Sequence, residues 1–421
     1  MHLLSESSSI PKLDRFDSTF DFLQEGYDFI GNRCRSLRTD AFQTRLMLRP
    51  VTCVRGPAAV EMFYAPGRLT RRGAMPATVV SLLQDRCSVQ MLDGEAHRLR
   101  KAMFLDMMVP DRLYQARLML SDELDQTMRP YRGQSVELRR IINLVMCHVA
   151  FRWCGLELRR EDMQARCEDL CAMIDSVGSL GPRRARAAWL RMRGERWARR
   201  RIAQVRREGE TRGWAIDRLA EHRDIDRSPM PDSVCAVELL NLLRPIVAVG
   251  RYIVFAIHAL QTNPAAAAAL RQDQSDAALE NFCDEVRRLY PFFPVIGGRV
   301  LEPFEWRDTA FAENDWLLLD LYGTCRDPSA WTEPHRFDPC RLADRQPPTS
   351  LVPQGGGPMK TGHRCPGERL TRALLAEGVG FFLNLDYSVP PQNLEIRHDT
   401  IPPWPRDGMR IHVAAQSSGP F

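Results

Sequence analysis

The stretch Gln354-Gly355-Gly356-Gly357-Pro358-Met359-Lys360-Thr361-Gly362-His363-Arg364-Cys365-Pro366-Gly367-Glu368 places one cysteine at the end of a glycine-rich loop, directly before a helix. The helix is read from Leu370, Leu374, Leu375, Phe381, Phe382 and Leu385, which recur at helical spacing. Orphan N–H groups and the helix dipole at that N-terminus favour a thiolate over a thiol at Cys365. The glycines admit backbone amides close to the sulfur without a Cβ clash. Lys360, His363 and Arg364 add positive potential.

A thiolate placed in this way suits metal ligation, and thiolate-ligated haem is one established use of it. A structural core cysteine or a nucleophile fits the same stretch, and most of the 12 cysteines are expected to be inert. A phosphate cradle is disfavoured. Gly-x-x-x-x-Gly-Lys-Ser/Thr is absent, and no Gly-x-Gly-x-x-Gly follows a strand here. The rest of the chain has to decide.

The 421 residues, 44% hydrophobic, can bury a large core and fit one large domain or two ordinary ones. A net charge of +5 and a pI near 8.6 are too mild to demand nucleic acid, and no zinc-finger or basic-zipper pattern accompanies them. The cysteines show no Cys-x-x-Cys spacing and no regular disulfide framework, so a reducing cytoplasmic compartment is the simplest expectation. The N-terminus lacks the apolar core of a signal peptide, and no uncharged run reaches the ~18 residues of a membrane span.

Strand character is read at 46–54, followed by a helix at 58–64 behind Gly56-Pro57. Most of 90–290 reads helical, with breaks at Pro110, Pro130 and Gly181-Pro182. A strand-rich patch covers 295–321, and proline clusters at 347–353 and 402–405 bound the cysteine loop and a C-terminal strand. The expected fold class is mainly α with a small β portion. Residues 183–212 hold twelve arginines with Trp189 and Trp197. Glu195, Glu208 and Glu210 interrupt that charge, and an apolar stripe runs through it, which favours a solvated helix face over a nucleic-acid or membrane surface.

The most apolar helix candidate spans 234–260 and carries Pro245 inside it. Proline offers no N–H to the carbonyl of Asn241 and crowds it, so a kink is expected there. Arg244 beside it is a permanent charge in an apolar stretch, which must find an anion. An internal ion pair with a distant acid would satisfy it, and so would a pocket that captures a carboxylate bidentately. Glu285 and Arg288, three apart on one helix face before Pro291, form a further pair that Arg341 downstream could join.

Glu-x-x-Arg at 285–288, the Pro334-His335-Arg336-Phe337 segment and Gly362-His363-Arg364-Cys365-Pro366-Gly367, in this order, resemble the cytochrome P-450 superfamily. The resemblance is closer to its bacterial fatty-acid peroxygenases, carried by Asn241-Leu242-Leu243-Arg244-Pro245-Ile246-Val247-Ala248, Asp93-Gly94-Glu95-Ala96-His97 and Phe22-Leu23-Gln24-Glu25-Gly26-Tyr27. It covers roughly 15–415 and implies a single haem-thiolate domain with the cytochrome P-450 fold over 1–421, residues 1–14 being a disordered tail.

The resemblance implies haem b (iron protoporphyrin IX) with Cys365 as its axial thiolate, and a fold-stabilising triad of Glu285, Arg288 and Arg341. It also places His97, Lys101 and Arg71 near the haem propionates, where ordinary surface charge is the plainer alternative. Relatives that activate dioxygen use an acid–alcohol pair on the central helix; this chain has Arg244-Pro245-Ile246-Val247 instead. The implied reaction is hydroxylation of a medium- or long-chain fatty acid at the α or β carbon, with hydrogen peroxide as co-substrate and no obligatory redox partner. The carboxylate held by Arg244 would be the general acid–base. Gln90 falls where relatives carry Gln or His, and the His form is associated with decarboxylation to a terminal alkene. Gln84 replaces a common aromatic, Thr361 a common Lys, and Cys340 and Leu342 the usual Glu and Phe beside the triad arginine. Decarboxylation and a non-catalytic haem or fatty-acid sensor remain the alternatives.

Overall fold

The computed structural model describes residues 9–85, 87–343 and 349–415. Helices dominate, and the most apolar of them, Asp232–Thr262, runs through Pro245 and is buried along nearly its whole length. By length and composition this helix could cross a membrane, yet 78% of its most apolar window is covered by protein. The cover comes mainly from the helices Leu138–Trp153, Pro182–Glu208 and Glu368–Asn384. Two glycines set the closest approaches. A Cβ on Gly250 would stand 2.9 Å from Ile142 Cγ2, and one on Gly378 would stand 2.9 Å from Ile253 Cδ1. Both helix pairs therefore approach more closely than larger residues would allow.

A five-stranded sheet runs in the order Ala41–Leu46, Arg49–Val54, Trp316–Asp320, Val295–Val300, Leu69–Thr70. The strand read at 46–54 is in fact the second arm of a hairpin whose first arm is Ala41–Leu46, with Leu46 opposite Arg49. Its turn residues, Met47 and Leu48, both hold positive φ, at 52° and 62°. That is a tight hairpin turn built without the Asn or Gly that normally announces one, so local composition concealed it. The strand-rich patch appears as four short strands between residues 295 and 320. The C-terminal strand Arg410–Val413 pairs with Ser135–Glu137, a strand inside the stretch read as helical.

Residues 1–8, and 347 and 348 of the first proline cluster, lie outside the described residues. The expected disordered tail does not extend to residue 14. Ile10 is buried in a cluster with Val54 and Leu319, and Lys12 bridges Gln43, because the apolar side chain finds a place beside the sheet.

The charge triad forms and is buried. Both oxygens of Glu285 take hydrogen bonds from Arg288 at 2.7 and 2.8 Å, and Arg341 Nε reaches Glu285 Oε1 at 3.1 Å. The backbone N–H of Asp338 adds another at 2.8 Å. Arg288 spends its remaining donors on the carbonyls of Cys325, Pro334 and Arg336. The triad thus ties the helix Asp276–Leu289 to the irregular segment that precedes the cysteine loop. Removing one member strands the others in low dielectric. Glu285→Ala is expected to lose about 3–5 kcal/mol of stability, read as a fall in the denaturation midpoint or in the yield of folded protein. An unchanged midpoint would show that the triad does not hold this segment.

Candidate active site

The helix that follows the cysteine loop, Glu368–Asn384, is capped by Gly367. Cys365 donates its backbone N–H to Gln354 O at 3.1 Å, which closes the loop. Glu368 is held by Arg287 at 2.5 Å and Arg364 at 2.6 Å, so the first turn is fixed from two sides. The three consecutive glycines lie against Tyr64. A Cβ on Gly355, Gly356 or Gly357 would come within 3.0, 3.0 or 2.9 Å of that side chain, and Gly355 and Gly357 also hold φ of +89° and +77°. Both reasons exclude a larger residue.

The sulfur environment departs from the expected one. Burial pushes the Cys365 thiol up, and the N–H of Gly367 with Lys101 and Arg287 only partly offsets this. Proximity to the helix start is therefore not enough to hold a bare thiolate, and a cation bonded to the sulfur would reverse the balance. Of the three cations expected to help, Lys360 is exposed and Arg364 is committed to Glu368. The closest ammonium comes from elsewhere: Lys101 Nζ donates to the carbonyls of Gly362 and Arg364.

Lys101 lies one turn after His97 on the helix Gly94–Asp106. The His97 ring lies against that of His363, with centroids 4.1 Å apart and planes tilted by 38°. Arg71 is buried against Phe63 and Tyr64 and donates to Gly297 O at 2.5 Å. Burial, then the neighbouring His363 and Lys101, hold His97 down to about 3, and burial brings Lys101 down to about 8. Asp93 is the acid beside this cluster, 3.9 Å from His363. Four buried or half-buried basic side chains with so little counter-charge fit a group that carries carboxylates. With a single sulfur in a glycine cradle, they fit haem: Cys365 could take the iron, and Arg71, His97, Lys101 and His363 would be available to its anionic substituents.

On the central helix, Arg244 is 4% exposed. Its guanidinium donates to Asn241 Oδ1 at 2.8 Å, to Leu82 O at 3.3 Å and to Leu83 O. All three acceptors are neutral. Among the described residues no carboxylate lies within ion-pair distance, and burial, then Arg191, lowers its pKa to about 9. Asn241 donates to Gln90 Oε1 at 3.3 Å and to Glu238 Oε2 at 2.9 Å. Glu238 in turn accepts from Val89 N at 2.7 Å and from Arg100 at 3.1 Å. Gln84 sits just beyond the two carbonyls that face Arg244, with its Oε1 buried and unpartnered.

The structure thus gathers Arg244 and Gln90 through Asn241, and gathers His97, Lys101 and Arg71 around the cysteine loop. One helix serves both groups: Arg100 points to Glu238 and its neighbour Lys101 to the loop. The roles of Asn241, Glu238 and Arg100 were not read from the sequence. A signal existed, since Glu238, Asn241 and Arg244 recur every three residues along one face of an otherwise apolar helix.

The cytochrome P-450 family model matches residues 271–383. Beta-amyrin 6-beta-monooxygenase of Solanum lycopersicum is 32% identical over 98 residues, 22% of this chain, and the match spans only 19% of that relative's length. Solved structures match far more completely. Cytochrome P450EX alpha (CYP152N1), solved with myristic acid, is 36% identical, covers 96% of this chain and 99% of its own, and has a TM-score of 0.92. A single-residue variant of cytochrome P450SP alpha (CYP152B1) is 35% identical over 94% of this chain and 99% of its own, with a TM-score of 0.91. A variant of OleT, solved with arachidonic acid, is 29% identical over 96% and 98%, with a TM-score of 0.92. With more than a third of its residues shared across nearly the whole length of a solved relative, this chain belongs to the cytochrome P-450 family, and its structural neighbours are the CYP152 enzymes.

Proposed function

We propose that this chain is a haem-thiolate peroxygenase that hydroxylates fatty acids at the α or β carbon with hydrogen peroxide. The observation that carries the reading is the buried Arg244 guanidinium, whose hydrogen-bond acceptors are all neutral. Such a cation favours an incoming carboxylate, which it can hold bidentately. The neighbours solved with myristic and arachidonic acids support a long-chain carboxylic acid as that ligand.

Haem held by the Cys365 thiolate would supply the oxidative chemistry. Arg71, His97 and Lys101 would face its carboxylates. The chain's own contribution is positioning. Asn241 fixes Arg244, and Glu238 and Gln90 fix Asn241. The helix segment after Arg244, Pro245-Ile246-Val247-Ala248-Val249-Gly250, offers no acid or hydroxyl. Glu238, two turns earlier, is already engaged by three donors. Proton transfer therefore falls to the bound carboxylate, which can accept a proton from peroxide and return it to the departing oxygen. Anchoring the head group on Arg244 selects the nearest carbons by proximity. Pro245, lacking an N–H, leaves the carbonyl of Asn241 without its helical partner in the same turn.

Three outcomes test the reading. Cys365→Ala is expected to lose the carbon-monoxide Soret signature of thiolate-ligated haem; an unchanged spectrum would sink the ligand assignment.

Arg244→Ala is expected to keep haem but lose peroxide-driven turnover without a reductase. Loss of one partner of a buried charge pair costs about 3–5 kcal/mol, so fatty-acid affinity should fall by more than about a hundredfold. Normal affinity and turnover would mean that another group holds the carboxylate, and a short carboxylic acid that fails to restore oxidation of substrates lacking a carboxylate would count against the acid–base role.

Product analysis on a saturated long-chain acid is expected to give mainly 2- or 3-hydroxy acids. Gln90 hydrogen-bonds but cannot carry a proton near neutral pH, whereas His can. A majority of terminal alkene would overturn the role given to Gln90 while leaving the peroxygenase reading intact, and Gln90→His should raise the alkene fraction.

A further inference from the structure

Three cysteines converge away from this site. Cys147 lies on the helix Leu138–Trp153, and Cys167 and Cys171 lie one turn apart on the helix Arg160–Asp175. Their sulfurs all fall within 4.8 Å of one another. Cys147 Sγ stands 2.7 Å from Cys167 Sγ. Cys147 is fully buried, whereas Cys167 and Cys171 are partly exposed. None of the three takes part in the chemistry described above.

Two uses of such a cluster can be separated by geometry. Thiolates around a zinc-sized ion, each ~2.3 Å from it, stand ~3.8 Å apart in a tetrahedral arrangement. The Cys147–Cys167 pair is much closer than that. No fourth ligand joins the group among the described residues. The adjacent imidazole of His148 is already engaged by Glu123 at 2.6 Å through Nδ1. The spacing favours a sulfur–sulfur bond over a shared ion.

We propose that Cys147, Cys167 and Cys171 form a thiol site oxidised by hydrogen peroxide, with Cys167 reacting first and Cys147 closing a disulfide. Cys167 is the more accessible member of the close pair, and its sulfur accepts a hydrogen bond from the Cys147 thiol. Hydrogen bonds from Cys147 and Cys171 lower its pKa, while burial raises that of Cys147. The Cys167 thiolate attacks one peroxide oxygen; an S–O bond forms, the O–O bond breaks, and hydroxide leaves to be protonated to water. The Cys147 sulfur then gives up its proton and attacks the Cys167 sulfur. The S–S bond forms, the S–O bond breaks, and a second water leaves. Two thiols and one peroxide become one disulfide and two waters. The link would join two helices that both pack on the central helix. It needs only added peroxide, so it stands or falls separately from the fatty-acid reading.

The test treats the haem-loaded full chain with increasing hydrogen peroxide and no fatty acid, quenches with catalase, alkylates under denaturing conditions and maps the peptides by mass. The expected result is a cross-linked Cys147–Cys167 peptide pair that forms before the exposed Cys87 and Cys340 are oxidised. In Cys147→Ser, the expected result is a dimedone adduct at Cys167, the trapped sulfenic acid. Full alkylation of all three thiols at peroxide levels that oxidise Cys87 and Cys340 would overturn the proposal. So would the absence of a Cys167 adduct in Cys147→Ser. Stoichiometric binding of zinc or copper(I) that shields the three thiols from peroxide would also overturn it, in favour of a metal site.

Discussion

An arginine does not lose its charge when buried, so each guanidinium inside this protein has to be matched by a partner. Arg100 has Glu238, Arg251 has Asp175, Arg287 has Asp284 and Glu368, and Arg288 has Glu285. The pairs Arg100–Glu238, Arg251–Asp175 and Arg287–Glu368 join elements far apart in the chain, whereas Asp284 and Glu285 lie on the same helix as their arginines. Arg251 is the clearest case: on the central helix it also donates to Pro403 O at 2.8 Å and lies 4.2 Å from the Trp404 ring centroid, which pins the C-terminal segment to the core. Arg326 has no carboxylate within ion-pair distance among the described residues but lies over the Tyr322 ring at 3.5 Å and donates to carbonyls. Among the described residues, Arg71 and Arg244 are buried at the candidate site without an acid in ion-pair range. The same requirement that organises the fold thus leaves two positions where an external anion is favoured.

The cysteine loop follows a related logic with the opposite sign. A buried thiol resists ionisation, and the glycine cradle and nearby cations reduce that resistance without removing it. A haem bearing propionates, as proposed above, would set a cation on the sulfur and anions beside the surrounding bases. The helix Gly94–Asp106 couples the two halves. Consecutive residues of a helix point about 100° apart, since 3.6 residues complete a turn, so Arg100 and Lys101 address the central helix and the cysteine loop from a single rigid element.

Much of this was legible in the chain. The cysteine stretch, the Glu285–Arg288 spacing and the apolar helix with Arg244 and Pro245 are local patterns in which residue type and spacing carry the meaning. The mainly helical class followed from periodicity of the same kind. The hairpin at 41–54 escaped because Met47 and Leu48 turn it without the usual residues, and the short strand Ser135–Glu137 escaped because its partner lies some 270 residues away in the chain, at 410–413.

What the sequence determined by itself was the set of chemical groups and their spacing along each helix: a cysteine before a helix, an arginine beside a proline, a glutamate three residues from an arginine. What only the tertiary structure decided was which groups lack a partner. Whether Arg244 meets an internal acid depends on side chains brought in from other elements; here they are the neutral carbonyls of Leu82 and Leu83 and the amide of Asn241. Whether three cysteines are inert or adjacent depends on how Leu138–Trp153 packs against Arg160–Asp175. Neither can be read from spacing, because the energy of a buried charge or thiol is set by what surrounds it in space, and distant segments supply those surroundings.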